Sequence, residues 1–144
     1  MRKTATYTCA QDNRDQGKVF LLTEMSADAT EQWAMQAFFA LMNAGVEIPE
    51  EVTSMGFAGL VQLGLGALGK VPFGAAKPLL DVMMGCVQVV PNPGQPNVVR
   101  ALVESDIEEV TTRIALRKAI FELHVSGLKT GAPSTSVQGA APAA

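Results

Sequence analysis

The chain has 144 residues, 48% of them hydrophobic and 17% charged, with 11 Lys and Arg against 14 Asp and Glu. One domain with its own core is expected, at roughly 100–200 residues per domain, and the apolar share excludes a chain that stays unfolded for want of surface to bury. A net charge of −3 suits phosphate neutralisation poorly, so nucleic acid is not an expected partner; one His, two Cys, one Trp and one Tyr leave little for metal, redox or acid–base chemistry, so an enzyme is disfavoured and no cofactor or metal is expected.

The opening MRKTATYTCAQDN has an early carboxylate and no apolar run, and is not expected to be a signal peptide. Residues 3–9 alternate and residues 18–25 are apolar in their middle. Between them QDNRDQG is rich in turn formers, so the whole predicts a β-hairpin. Arg14 and Gln16 stand where a calcium loop needs oxygen ligands, which removes that reading of the loop. Cys9 and Cys86 are expected to be free packing thiols.

A first helix is expected from Ser26 or Asp28, as N-terminal cap, to the stop at Asn43-Ala44-Gly45. At 100° per residue, Trp33, Met35, Ala37, Phe38, Phe39, Leu41 and Met42 span an arc of roughly 240°, where a surface helix needs only about 100°. Such a helix demands cover on more than one side.

Pro49 and Glu50-Glu51 predict a second helix running into a glycine-rich stretch, with a break near Gly64 or Gly69. Within that stretch Gly64-Leu65-Gly66-Ala67-Leu68-Gly69 matches GxGxxG, but Pro72 follows and Val89 stands where an acidic residue belongs, so a nucleotide site is not expected. Residues 55–69 are too short to span a membrane, which takes about 20 apolar residues. A third helix is expected from about Lys77-Pro78 through residues 78–88, and the prolines of VVPNPGQPN mark an irregular connector. Ser105 and Glu108 have capping-box spacing and predict a long helix from there to about Val125. Residues 129–144 are small and polar, with Gly and Pro, and are expected to form a flexible tail beyond a single domain at 1–128. The expected class is thus α+β, mainly α: an N-terminal β-hairpin on a bundle of about four helices.

On the last helix Ile107, Val110, Ile114 and Phe121 make one apolar stripe and Leu116, Ile120 and Leu123 an opposed one. The first stripe, with its Phe, is expected to close the core, and the second to face a partner. Trp33, Phe38 and Phe39 on the first helix join Leu116, Ile120 and Leu123 as expected partner-binding residues. His124, the single His, is expected to interact with the last carbonyls of its helix.

Arg14-Asp15-Gln16-Gly17-Lys18-Val19-Phe20, Thr23-Glu24-Met25, Glu31-Gln32-Trp33-Ala34, Asp106-Ile107-Glu108-Glu109-Val110 and Phe121-Glu122-Leu123-His124 together resemble the tail assembly chaperones of long-tailed bacteriophages, over about residues 14–128. The resemblance implies a protein of the infected host's cytoplasm that coats the helical tape measure protein, holds it soluble and helps recruit tail tube subunits, and that is absent from the finished virion. Self-association is expected separately, from the over-wide apolar arc of the first helix, and the charge balance and the short apolar stretch give no reason to expect nucleic acid or a membrane as a partner. In several such families a ribosomal frameshift adds a second, tube-recruiting domain, and the segment after Leu128 is where one would attach. The rival expectation is a structural component of the virion tail, a tube terminator or connector protein, whose apolar helices would be ring contacts.

Overall fold

The computed structural model describes residues 1–51 and 65–129. Strands β1 (Thr4–Thr8) and β2 (Val19–Thr23) form the expected antiparallel hairpin, with Ala5 opposite Leu22 and Tyr7 opposite Phe20. Alternation sets the two faces: Thr4, Thr6 and Thr8 are exposed, whereas Phe20 and Leu22 are buried. The connecting loop closes through the Gly17 N–H donating to the Cys9 carbonyl at 2.8 Å, with Gly17 at a φ of 85° that glycine adopts without steric cost.

Helix α1 (Ala27–Asn43) obeys both of its sequence signals. The Ser26 hydroxyl accepts from the Ala29 N–H at 3.1 Å, and at the far end Gly45, at φ 85°, donates its N–H to the Met42 carbonyl at 3.0 Å. Glu50 and Glu51 are helical, as the second-helix expectation requires; the rest of that expectation, over 52–64, lies outside the described residues. Leu65–Lys70 forms a 3-10 helix, within the region where a break was expected.

Helix α2 (Phe73–Met84) begins earlier and ends earlier than expected, and residues 87–90 are not helical at all. They form strand β3 (Val87–Val90), which pairs with β2 by setting Val87 opposite Leu22 and Val89 opposite Phe20. The misreading has a physical cause: VQVV is a short apolar run with no period to separate a buried strand from a helix end, and its β-branched residues suit a sheet flanked on both sides. The proline-rich residues after β3 are irregular, as expected, but they connect to a short strand β4 (Arg100–Ala101), completing an antiparallel sheet ordered β1-β2-β3-β4.

The last helix, α3 (Val110–Lys129), also departs from expectation at both ends. Glu104–Asp106 forms a 3-10 turn, held by the Val103 N–H donating to Asp106 Oδ2 at 2.8 Å, and the Ser105/Glu108 spacing does not open the helix. At the other end the helix runs through Gly127 to Lys129 and does not stop near Val125. Ile107 therefore precedes the helix. The row that meets the core is Thr112, Leu116 and Ile120, with Phe121 and Val125, all buried. Val110 and Ile114, expected in the core, are 71% and 54% exposed.

The class is α+β, with three α-helices among the described residues instead of about four. One sheet face, carrying Phe20, Leu22, Val87 and Val89, shares its core with Trp33, Phe38 and Leu41 of α1, Leu79 and Met83 of α2, and Leu116, Ile120 and Phe121 of α3. Burying side chains of this size contributes about 1.5–3 kcal/mol each. No helix among the described residues is long and apolar enough to cross a membrane.

Candidate partner-binding surface

Helix α3 is fixed by a residue far from it in sequence. Asp15, in the hairpin loop, is fully buried, and its carboxylate accepts from the Glu108 N–H at 3.0 Å, the Glu109 N–H at 2.9 Å and the Thr112 hydroxyl at 2.7 Å. It occupies the place of an N-terminal cap, supplied by tertiary contact, where the positive end of the helix dipole favours an anion. Lys18 completes the arrangement from the loop's far side, its Nζ lying 2.9 Å from Asp15 and 3.1 Å from Glu108. Burial pushes the Asp15 carboxyl up, but the bonds from Thr112, Glu108, Lys18 and Glu109 outweigh it and hold the group well below the ordinary carboxylate range. Arg14 adds a second tie, donating from Nε to Glu109 at 2.8 Å and from its other guanidinium end to the Glu108 carbonyl at 2.9 Å.

His124 links α3 to the chain entering α1. The Met25 N–H donates to its Nε2 at 2.8 Å, so the ring proton sits on Nδ1, which donates to the Ile120 carbonyl at 2.8 Å. The expected contact with the last carbonyls of the helix is not what forms: the helix runs on to Lys129, and the ring bonds an interior carbonyl one turn back and the amide of Met25.

The expected partner-binding residues divide sharply. Trp33, Phe38, Leu116 and Ile120 belong to the core, and the Trp33 indole N–H donates to the Leu79 carbonyl at 2.9 Å. Leu123 is half-buried against that core, and only Phe39 of the six lies open. Of the stripe expected to close the core, Phe121 and Ile107 do meet it, Ile107 from just before the helix, whereas Val110 and Ile114 face outward and Leu116 and Ile120 of the opposed stripe face inward. Thr112 explains why: a polar residue opens the buried row, and it is satisfied by Asp15, a partner the helix's own sequence does not contain.

What remains open is a different apolar row. Met35, Phe39 and Met42 of α1 are 49%, 54% and 51% exposed, and their spacing puts them on one strip of the helix. They are the part of the over-wide arc of α1 that the core leaves unused. Val110 and Ile114 on α3 form a second, smaller exposed pair.

Clefts offer less. One of about 390 Å³ is lined by Lys18, Val90, Pro93, Arg100 and Asp106. Its cations are already engaged: Arg100 makes a two-pronged contact with Asp106, at 2.9 and 2.7 Å, and Lys18 is held by Asp15 and Glu108. Cys9 and Cys86 are buried free thiols, and burial pushes Cys86 up from its ordinary value, away from the reactive thiolate. No group of His, Cys, Asp and Glu among the described residues is arranged to hold a metal ion. No protein-family model, curated protein or solved structure matches this chain.

Proposed function

We propose that this chain is a tail assembly chaperone of a long-tailed bacteriophage, which binds the tape measure protein in the host bacterial cytoplasm, keeps it soluble, helps recruit tail tube subunits and leaves before the virion is finished. The observation that carries this reading is the apolar row Met35, Phe39 and Met42, left open by a core that is already filled from the other side of α1. A holdase for a long amphipathic helix needs such a row and needs no reactive groups. The resemblance of residues 14–128 to that family supports the same role.

Co-expression with the tape measure protein of the same genome is the test. The tape measure protein should be soluble and co-purify with this chain, be insoluble alone, and assemble into purified virions that lack this chain. Stoichiometric presence in washed virions would instead establish the structural tail component, and a tape measure protein equally soluble without this chain would refute the chaperone role.

A further inference from the structure

We infer that the exposed strip of α1 is a docking site for an amphipathic helix whose apolar face is flanked by Lys or Arg. The proposal rests on the chaperone role and names the chemistry of the segment that would be held. Asp28, Glu31, Met35, Phe39 and Met42 fall within an arc of about 80° at 100° per residue, so two carboxylates and three large apolar side chains share one strip. All five are exposed. Beyond the strip's C-terminal end the chain continues through exposed Glu47 and Glu50. Between Lys18 and Lys70 the sequence contains Glu24, Asp28, Glu31, Glu47, Glu50 and Glu51 and no Lys, Arg or His, so basic residues are confined to the rest of the chain. Along the strip itself the polar neighbours are uncharged, Gln32, Gln36 and Asn43.

Charge decides the occupant. A second copy packed through the same strip in parallel would set Asp28 and Glu31 near their own counterparts, and in the antiparallel sense it would bring them no base from this segment, because none lies between Lys18 and Lys70. Like charges across an interface oppose association. A helix with a basic flank meets Asp28 and Glu31 at one end of the strip and the apolar row of Met35, Phe39 and Met42 beyond them. Methionines suit such a site, because their unbranched, polarisable side chains repack around different apolar faces, as a protein that reads many successive segments of one long helix requires.

The test uses the full chain and two synthetic 20-residue helical peptides with the same Leu-rich face, one flanked by Lys and one by Glu, each labelled for fluorescence anisotropy. The Lys-flanked peptide should bind at least about tenfold more tightly in low salt, with the difference shrinking as salt screens the exposed charges. Phe39→Gln with Met42→Gln should abolish binding while leaving the thermal melt in place; Glu31→Lys with Glu47→Lys should remove the preference for Lys, which keeps the proposal testable should the first variant lose its fold. Equal affinity for the two peptides, no binding of either, or binding indifferent to the Phe39/Met42 change overturns it, as does a dimer in solution that the same change dissolves. If the peptide binds this strip but the tape measure protein fails to co-purify, the chaperone role falls and the docking site stands. If the tape measure protein co-purifies equally with the Phe39/Met42 variant, the site falls and the role stands.

Discussion

Asp15→Ala is the substitution expected to damage this fold most for its size. The carboxylate serves four donors: two backbone N–H groups at the start of α3, the buried Thr112 hydroxyl and the Lys18 ammonium. Their losses differ. Thr112 is fully buried and would be left without this acceptor, at about 1–3 kcal/mol. The Glu108 and Glu109 N–H groups lie nearer solvent and lose what a cap supplies, about 1–2 kcal/mol together. Lys18 is only partly buried and keeps Glu108, so its loss is small. The total is about 2–5 kcal/mol, a large share of the roughly 5–15 kcal/mol that holds a domain folded. Urea unfolding followed by circular dichroism should show the midpoint falling with an unchanged slope. Asp15→Asn should cost less, since it keeps one acceptor oxygen, and Asp12→Ala, exposed in the same loop, should cost almost nothing.

The pH dependence provides an independent check on the same carboxylate. Its folded-state pKa lies below its unfolded value, so the stability it contributes is fully present above the unfolded carboxyl range of about 4 and is lost as pH falls through the folded value. The gap between wild type and Asp15→Ala should therefore be widest near neutrality and narrow steadily below about pH 4. Subtracting the variant matters, because Asp106 and Glu109 are also held low, by Arg100 and Arg14, and fade over the same acidic range. An Asp15→Ala protein within about 1 kcal/mol of wild type at pH 7, or a gap that widens on acidification, refutes the cap.

Further outcomes follow from the same contacts. Thr112→Val should cost about 1–2 kcal/mol, and combined with Asp15→Ala the pair should cost clearly less than the sum, because each removes the same bond; additive losses in a double-mutant cycle would count against it. Leu116→Ala should cost about 2–5 kcal/mol in a denaturant melt, whereas Val110→Ala with Ile114→Ala should stay below about 1 kcal/mol, and the opposite ranking would show that α3 faces the other way. His124→Ala should cost about 1–3 kcal/mol and speed hydrogen exchange at the Met25 amide, whose acceptor it removes; unchanged exchange there would dissociate the ring from that bond.

Local signals in the sequence were reliable wherever the structure is made by neighbours. The Thr-rich alternation and turn residues placed β1 and β2, and Ser26 and Gly45 placed both ends of α1, because each signal works through bonds between residues fewer than ten positions apart. The width of the apolar arc on α1 also foretold an open row, although not which side chains would occupy it. Signals failed where the deciding partner is remote. VQVV becomes a strand because β2 and β4 stand on either side of it, and β2 ends at Thr23, far back in the sequence. The register of α3 was lost for the same reason. Its buried row opens with Thr112, which a hydrophobic count assigns to solvent, and only the carboxylate of Asp15, 97 positions earlier, makes that burial affordable.

That dependence also bears on docking. Because Asp15 turns Leu116 and Ile120 inward, the side of α3 expected to meet a partner is used up by the core, and its outward residues Val110 and Ile114 are too few to hold a helix by themselves. The open surface shifts to α1, whose exposed row has no basic residue beside it in the chain from Lys18 to Lys70. One buried carboxylate thus decides which helix keeps an exposed apolar row, and on the proposed docking site the acids Asp28 and Glu31 on that helix would set the charge of its partner. Weakening the cap should therefore affect binding differently from a change in the row. At a temperature where Asp15→Asn remains folded, it should leave affinity for a Lys-flanked helix within about twofold of wild type, whereas Phe39→Gln with Met42→Gln lowers affinity at unchanged stability. Parallel loss of binding and stability in both variants would show that the row and the core are not separable, and that α1 is no docking surface.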